Sequence, residues 1–344
     1  MTPTSGALDG GTPPGSPQQL VCLPVTGVGE VAEGDDLAGV LARCADLRDG
    51  DILVVTSKVV SKAEGRTRTA KREEVLVEET DRTVAWRGRT AIVRTHHGLV
   101  MAAGGIDASN TEADTVVLLP VDPDASARRL REAFARGLGR NVAVLVTDTA
   151  GRAWRNGQTD IAIGAAGLDV LHDYSGRVDP HGNELSVTAP AVADELAAAA
   201  DLVKRKLDRR PAAVVRGLDG LVLRPGEHGP GAAALVRDER HDMFGLGARE
   251  AVLSALHHDD PRGFGGPCSP LELLVQLAAL ADDHADVRVD GVSVTARLRG
   301  PERVQGAAEQ RMRTAAFALG WREAAADSDG SSATGLLRFR PAGP

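Results

Sequence analysis

The chain has 344 residues, 42% of them hydrophobic and 26% charged, the balance of a soluble globular protein with room for two domains or one large one. A formal net charge of −8 argues against broad binding to nucleic acid or to an anionic membrane surface. No apolar run reaches the ~18–20 residues that span a bilayer.

Aromatic residues make up only 3% of the chain, so the core must be built from Val, Leu, Ile and Ala. The start, "MTPTSGALDGGTPPGSPQQ", has neither the basic nor the apolar region of a signal peptide. A cytoplasmic protein is the expectation. Cys22, Cys44 and Cys268 are scattered and odd in number, which suits neither a disulfide framework nor a zinc site. They read as reduced packing residues.

In chain order, residues 1–19 are rich in Gly, Pro, Ser and Thr and are expected to be a disordered tail. "LVCLPVTGV" is a short β-like run. "GDDLAGVLARCADL" has apolar residues at helical spacing, with Asp35 or Asp36 as its cap. A turn at Asp49-Gly50-Asp51 leads into a buried strand, Ile52 to Val55, and then a polar segment. Residues 66–90 are charged and expected to be helical in part. "TAIVRTHHGLVMAAGGIDASN" reads as two strands joined at His96-His97-Gly98. "DPDASARRLREAFARGLG" reads as a helix capped by Asp124 and ended by Gly137 or Gly139. The strand "NVAVLVTD", the helix "PAVADELAAAADLVKRKL" and the strand "AAVVRGL" follow.

These elements mix strands and helices without a strict βαβ rhythm, which predicts an α+β or mixed α/β domain over about 20–245. Residues 246–265 read as helix and linker, with a clear break at "GFGGPCSP". Residues 266–344 read as a separate small α+β unit: a helix, a pair of strands, a second helix and a final strand near "GLLRFRP".

Three polar clusters carry candidate chemistry. Asp148 follows the strand "VAVLV", and Asp107 follows another strand and Gly104-Gly105. Carboxylates at strand ends, with Thr149 adding an oxygen, suit Mg²⁺ or Mn²⁺; the competing reading is that they are turn or cap residues. In "TSKVVSKAEG", Lys58 and Lys62 lie four apart, each preceded by a serine, Ser57 and Ser61. On one helical face both lysines can reach one anion; the plain alternative is a solvated face. No phosphate-binding P-loop and no strand-bounded dinucleotide fingerprint occurs. The third cluster, "GRAWRNG", places Arg152, Arg155 and Asn156 together, a set suited to an acidic substrate; the plain alternative is a surface turn with ordinary arginines. Asp148, Arg152 and Arg155 are thus the candidates for catalysis. His96 and His97 are adjacent and would face opposite ways in a strand. With no HExxH and no GxSxG, zinc hydrolase and serine hydrolase chemistry find no support.

The segments "GDDLAGVL", "GDILVVTSKVVSKAEGR", "HHGLVMAAGGIDASN", "LLPVDPDASARRLREAF" and the long stretch from "VLVTDTAGRAWRNGQTDIAIG" through "VADELAAAADLV" together resemble the coenzyme F-420-0:L-glutamate ligase family over about residues 20–245. The resemblance implies an enzyme that uses GTP to turn a deazaflavin precursor's carboxylate into an acyl phosphate, which the amine of L-glutamate then attacks. It implies GDP and phosphate as products, a γ-glutamyl tail where the step repeats, Mg²⁺ or Mn²⁺ at two sites, K⁺, and a homodimer. By that resemblance Asp107 and Asp148 are metal ligands, with Thr149 near a second ion. Ser57, Lys58, Lys62 and Asn110 are nucleotide contacts.

Two stretches depart from the family pattern. A Gly-Leu-Pro segment at the nucleotide site is here Gly27-Val28-Gly29-Glu30, so Val28, Gly29, Glu30 and Val31 become the matching nucleotide residues without the proline. A small or glycine-containing segment after the "DELA" helix is here Lys204-Arg205-Lys206-Leu207, which puts Lys206 in the same role. Some relatives carry a flavin-binding domain after the ligase, but the shorter tail here lacks an arginine-rich FMN-binding start, and no flavin is expected. The alternatives are a different nucleotide-dependent carboxylate–amine ligase and a non-catalytic deazaflavin binder.

Overall fold

The computed structural model describes residues 19–108, 115–185, 188–324 and 335–343. All but the last residue of the expected tail lies outside them, as does Asn110. The chain divides into two compact units, Met1–Arg82 with Ile92–Val236 and Thr83–Ala91 with Arg237–Pro344. In chain order the first part runs β1 (Val21–Val25), α1 (Leu37–Cys44), β2 (Ile52–Thr56), α2 (Ser57–Ala63), β3 (Thr67–Thr69), α3 (Arg72–Leu76), β4 (Thr80–Arg87), β5 (Thr90–Thr95), β6 (Val100–Ala102) and β7 (Thr115–Val117). It continues with α4 (Pro123–Leu138), β8 (Ala143–Arg152), β9 (Arg155–Ala166), β10 (Arg177–Val178), β11 (Glu184–Leu185), α5 (Val192–Lys204) and β12 (Ala212–Arg216). The expected mixture of strands and helices is what the chain adopts.

A five-stranded sheet ordered β1-β12-β2-β8-β9 organises the first unit. β2 and β8 run parallel, from Ile52 opposite Ala143 to Thr56 opposite Thr147, and the other neighbours are antiparallel. The two central strands read as unbroken apolar runs because both faces of the sheet are covered. Alternation splits them: Leu53, Val55, Val144 and Val146 pack in a core with Leu41, Leu130 and Phe134. Ile52, Val54, Ala143 and Leu145 pack in a second core with Leu196 and Ala200 of α5. The three cysteines are free and partly buried.

The caps explain where the helices begin. Asp36 accepts from Gly39 N–H at 3.0 Å and starts α1. For α4 the cap is Asp122 rather than Asp124: the Asp122 side chain accepts from Ala125 N–H at 2.9 Å. The cause is Pro123 at the first helical position, which holds the residue before it in extended backbone, so Asp122 is the last residue outside the helix. Asp124 turns to another task. Its carboxylate accepts from the backbone N–H groups of Ala165 at 2.8 Å, Ala232 at 2.6 Å and Ala233 at 3.2 Å, tying α4 to β9 and to the 3₁₀ turn Ala232–Leu235. Gly139 ends α4 in the left-handed conformation, φ +64°. Residues 66–90 hold one short helix, α3, beside β3, β4 and the start of β5.

The second unit contains α6 (Ala248–His257), α7 (Pro270–Ala281), β13 (Ala285–Asp290), β14 (Ser293–Leu298), α8 (Glu302–Ala318), β15 (Trp321–Glu323) and β16 (Leu336–Pro341). Its sheet is antiparallel, ordered β13-β14-β16-β15. Alternate residues Val294, Ala296 and Leu298 join Leu273, Leu277 and Met312 from the helices in one core with Trp321 and Phe339. The strand β15 went unforeseen because it is three residues long and follows directly on the end of α8. Among the described residues no helix is long and apolar enough to cross a membrane.

The two aspartates at the start of α4 should differ in weight. Asp122→Ala removes one cap and is expected to cost ~1 kcal/mol. Asp124→Ala strands several amide donors and is expected to cost more, ~2–3 kcal/mol. Urea denaturation midpoints check this; an Asp124 variant no less stable than the Asp122 variant would contradict it.

Candidate functional site

β8 keeps its pairing with β2 only to Thr147 and continues with β9 alone to Arg152. Three polar residues, Thr147-Asp148-Thr149, stand at that point of departure. Because side chains alternate along a strand, Asp148 falls on the same side as Val144 and Val146, toward α2. Thr147 and Thr149 fall on the α5 side. Ser57, the first residue of α2 and 3% exposed, donates its hydroxyl to Asp148 Oδ1 at 2.9 Å. Burial pushes the Asp148 carboxyl up to about 7. The Ser57 hydrogen bond pulls the other way, and the negative charges of Asp160 and Asp107 push it further up.

Asp107 reaches the same neighbourhood through an unusual turn. Ala103, Gly104 and Gly105 all have positive φ, at 52°, 60° and 70°, a path that glycine follows without strain. The turn sets Asp107 opposite Val117, with paired backbone hydrogen bonds of 2.9 and 2.8 Å. Lys58 Nζ then meets Asp107 Oδ2 at 2.9 Å.

Lys62, one helical turn after Lys58, pairs with Glu30 at 3.0 Å. The Lys62 hydrogen bond and charge hold the Glu30 carboxyl below its usual range, and the positive charges of Arg209 and Lys58 add to this. The two lysines therefore share a face but meet separate carboxylates. Of the segment Val28 to Val31, Val28 and Val31 are buried in the core, while Gly29 and Glu30 are exposed. Lys206 is exposed; the charge from its loop that acts on Glu30 is that of Arg209.

Arg152, Arg155 and Asn156 are not brought to this cluster. They lie at the exposed tip of the β8–β9 hairpin, where Arg152 pairs with Arg155 across a turn holding Trp154 at φ +64°. Arg152 donates to the Asn156 carbonyl at 3.2 Å. Four residues of strand, ~13 Å, separate Arg152 from Asp148.

The other face of β8 holds residues that sequence reading missed. Asp160, on β9 opposite Thr149, accepts from Thr147 Oγ1 at 3.0 Å and from Thr149 Oγ1 at 2.8 Å. Lys204, the last residue of α5, donates to Asp160 Oδ2 at 2.5 Å and to Thr147 Oγ1 at 2.9 Å. Lys204 and Asp160 are each only 4% exposed. A signal for Lys204 was present: the buried positions of α5 are Ala193, Leu196, Ala197 and Ala200, and Lys204 continues that stripe. A lysine on an apolar stripe needs a buried acid, and Asp160 stands just before the apolar run of β9.

Among the described residues no group of three or more His, Cys, Asp or Glu side chains gathers around one metal position. The donors at hand are the carboxylates of Asp107 and Asp148 and the hydroxyl of Thr149. All are hard oxygen ligands, and Mg²⁺ takes one or two protein carboxylates, completing its shell with water and phosphate. Burial first, and then the charges of Asp160 and Asp107, discourage Asp148 from ionising, and a divalent cation would offset this. The donor set fits such an ion.

Comparison with known proteins places these residues in a family context. The model of the family described as "F420-0:Gamma-glutamyl ligase" matches residues 27–217. A protein of Archaeoglobus fulgidus called "Coenzyme F420:L-glutamate ligase" is 41% identical over 219 residues, 57% of this chain and 87% of its own length. Proteins with the same description from Methanopyrus kandleri and Haloarcula marismortui are each 38% identical, covering 62% and 66% of this chain and 93% and 96% of their own.

The raised Asp148 carboxyl has a consequence for stability. Between the usual 3.8 and about 7 the folded protein keeps a proton that the unfolded chain has lost. Stability attributable to Asp148 therefore falls as pH rises through that window and is level below it. In metal-free buffer, Asp148→Asn should match the wild type near pH 4 and melt at a higher temperature at pH 8. Added Mg²⁺ should raise the wild type more than the variant. Thermal melts at both pH values decide; a variant less stable than wild type at pH 8 without metal would contradict the assignment.

Proposed function

The chain belongs to the F420-0:gamma-glutamyl ligase family, and from that premise we propose that it uses GTP to join L-glutamate to a deazaflavin precursor through an acyl phosphate. A carboxylate is a poor electrophile because its leaving group would be oxide. Phosphorylation supplies a better one: the γ-phosphoryl group passes to the carboxylate oxygen and GDP departs. The amine of glutamate then attacks the acyl carbon, loses a proton, and expels phosphate to leave the amide.

The observation that carries this reading is the alternation of lysines and carboxylates where parallel strands β2 and β8 end. Ligands of α/β sheets commonly bind beyond the carboxyl ends of their strands. There Ser57 and Lys58 follow β2 directly, and Asp148 lies one residue past the last β2–β8 pair. Phosphoryl transfer between anions depends on fixed positive charge and careful placement rather than on covalent help from the protein. Lys58 and Lys62 supply that charge for the nucleotide phosphates, and Arg209 adds to it from the loop after α5. Asp107, Asp148 and Thr149 would hold Mg²⁺ or Mn²⁺, which screens the phosphate oxygens when bound. Arg152, Arg155 and Asn156, at the hairpin tip, serve to hold an acidic group of substrate rather than the reacting atoms. A homodimer and a K⁺ requirement belong to the same proposal, as does a nucleotide contact from Asn110.

Incubation with deazaflavin precursor, GTP, Mn²⁺ and L-glutamate should give a product heavier by one glutamyl unit, read by mass spectrometry. Equal product with ATP would remove the nucleotide assignment. Phosphate released without glutamate would remove the coupling. Lys62→Ala loses a charge-assisted contact, worth ~1.5–3 kcal/mol where shielded from solvent. The Michaelis constant for GTP should therefore rise about tenfold to a hundredfold while that for glutamate stays nearly constant. A selective rise for glutamate would move Lys62 to the acceptor side.

A further inference from the structure

Thr149 is exposed, yet its hydroxyl has a fixed direction, because its one proton is donated to Asp160 at 2.8 Å. A hydroxyl carries one donor and two acceptor lone pairs. Spending the donor inward leaves lone pairs, and only lone pairs, for whatever approaches from outside. An oxygen presented in this way attracts a cation and gains nothing from an anion.

Asp160 is itself well defined. Thr149 occupies Oδ1, while Thr147 and Lys204 occupy Oδ2. At 4% exposure it has little room to reach an ion directly. Lys204, equally buried, compensates its charge, and Thr147, fully buried, accepts from the same ammonium. Past Thr147, β8 no longer pairs with β2, and Asp148 and Thr149 project there from opposite faces of the strand.

We propose that the buried Asp160–Lys204 pair is a positioning device for a divalent cation, acting through Thr149: Asp160 accepts the hydroxyl hydrogen bond and Lys204 holds Asp160 in place. The proposal rests on the cation site of the preceding section and adds two residues that touch neither substrate nor metal. Partners of this kind hold a ligand's orientation, and their loss typically weakens metal binding about tenfold to a hundredfold.

The test measures Mn²⁺ binding to the full-length protein by electron paramagnetic resonance, without nucleotide or acceptor, beside thermal melts. The double variant Asp160→Asn/Lys204→Met removes both charges together and so leaves neither uncompensated. It should keep a cooperative melt and bind Mn²⁺ about tenfold or more weakly. Thr149→Val should show a similar loss, Thr149→Ser should bind normally, and adding Thr149→Val to the double variant should cost nothing further. Mn²⁺ binding at wild-type strength in a folded double variant would reduce the pair to a purely structural role and overturn the proposal. Additive losses would also overturn it, making Asp160 a direct ligand. Should the double variant not fold, the exposed Thr149 decides alone: wild-type Mn²⁺ affinity in Thr149→Val overturns the proposal. Binding lost in Asp148→Asn but kept in Thr149→Val leaves the cation site standing and removes only this inference. Wild-type protein that binds no Mn²⁺ removes the cation site first.

Discussion

The two-residue period of a β-strand, applied to Thr147-Asp148-Thr149, is the constraint on which the site depends. Were the segment helical, these side chains would fan out over most of a turn. As a strand it sends one carboxylate to the α2 face and two hydroxyls to the α5 face. Each face then answers with its own partner, Ser57 on one side and Asp160 with Lys204 on the other. Past Thr147 that strand no longer pairs with β2, because β2 ends where α2 begins.

Charge is handled differently on the two faces. On the α5 side, Asp160 and Lys204 are almost fully buried and neutralise one another. Removing only one partner would leave the other charge uncompensated inside the protein, a cost of ~3–5 kcal/mol. On the α2 side the balance is incomplete. Asp148 has a hydroxyl for a partner and carboxylates for neighbours, which with burial keeps its carboxyl near 7. Two other acids are matched to arginine: Asp51 meets the Arg216 guanidinium at 2.8 and 2.7 Å, and Glu79 meets that of Arg66 at 2.8 and 3.0 Å.

The second unit answers to ordinary packing. Its two long helices, α7 and α8, and its antiparallel sheet enclose one core around Trp321, Phe339, Leu277 and Met312. The family match ends at residue 217, before Arg237, where the larger part of this unit begins. The ligase machinery and the C-terminal core are thus separate in sequence apart from the short segment Thr83–Ala91.

Sequence by itself determined what is local or repeats along one element. Apolar runs bounded by turn residues located β2, β8 and β12; helical periodicity located α1, α4, α5, α7 and α8; and the ordered motifs led to the ligase family. Charge types at strand ends singled out Ser57, Lys58, Lys62, Asp107 and Asp148 without showing which would meet. Tertiary structure decided the pairings. Lys58 and Lys62 share a helix face yet find separate acids because Asp107 and Glu30 arrive on different loops. Pro123 moved the cap of α4 to Asp122, freeing Asp124 to bind amides remote in sequence. Arg152 and Arg155, adjacent to Asp148 in the motif, were carried away from it because a strand advances ~3.3 Å with each residue. Asp160 and Lys204 were brought together across 44 residues of chain by the packing of α5 on β8 and β9. A one-dimensional pattern records how each residue suits its own element. It does not record which buried charge will find which partner, because that depends on how whole elements pack.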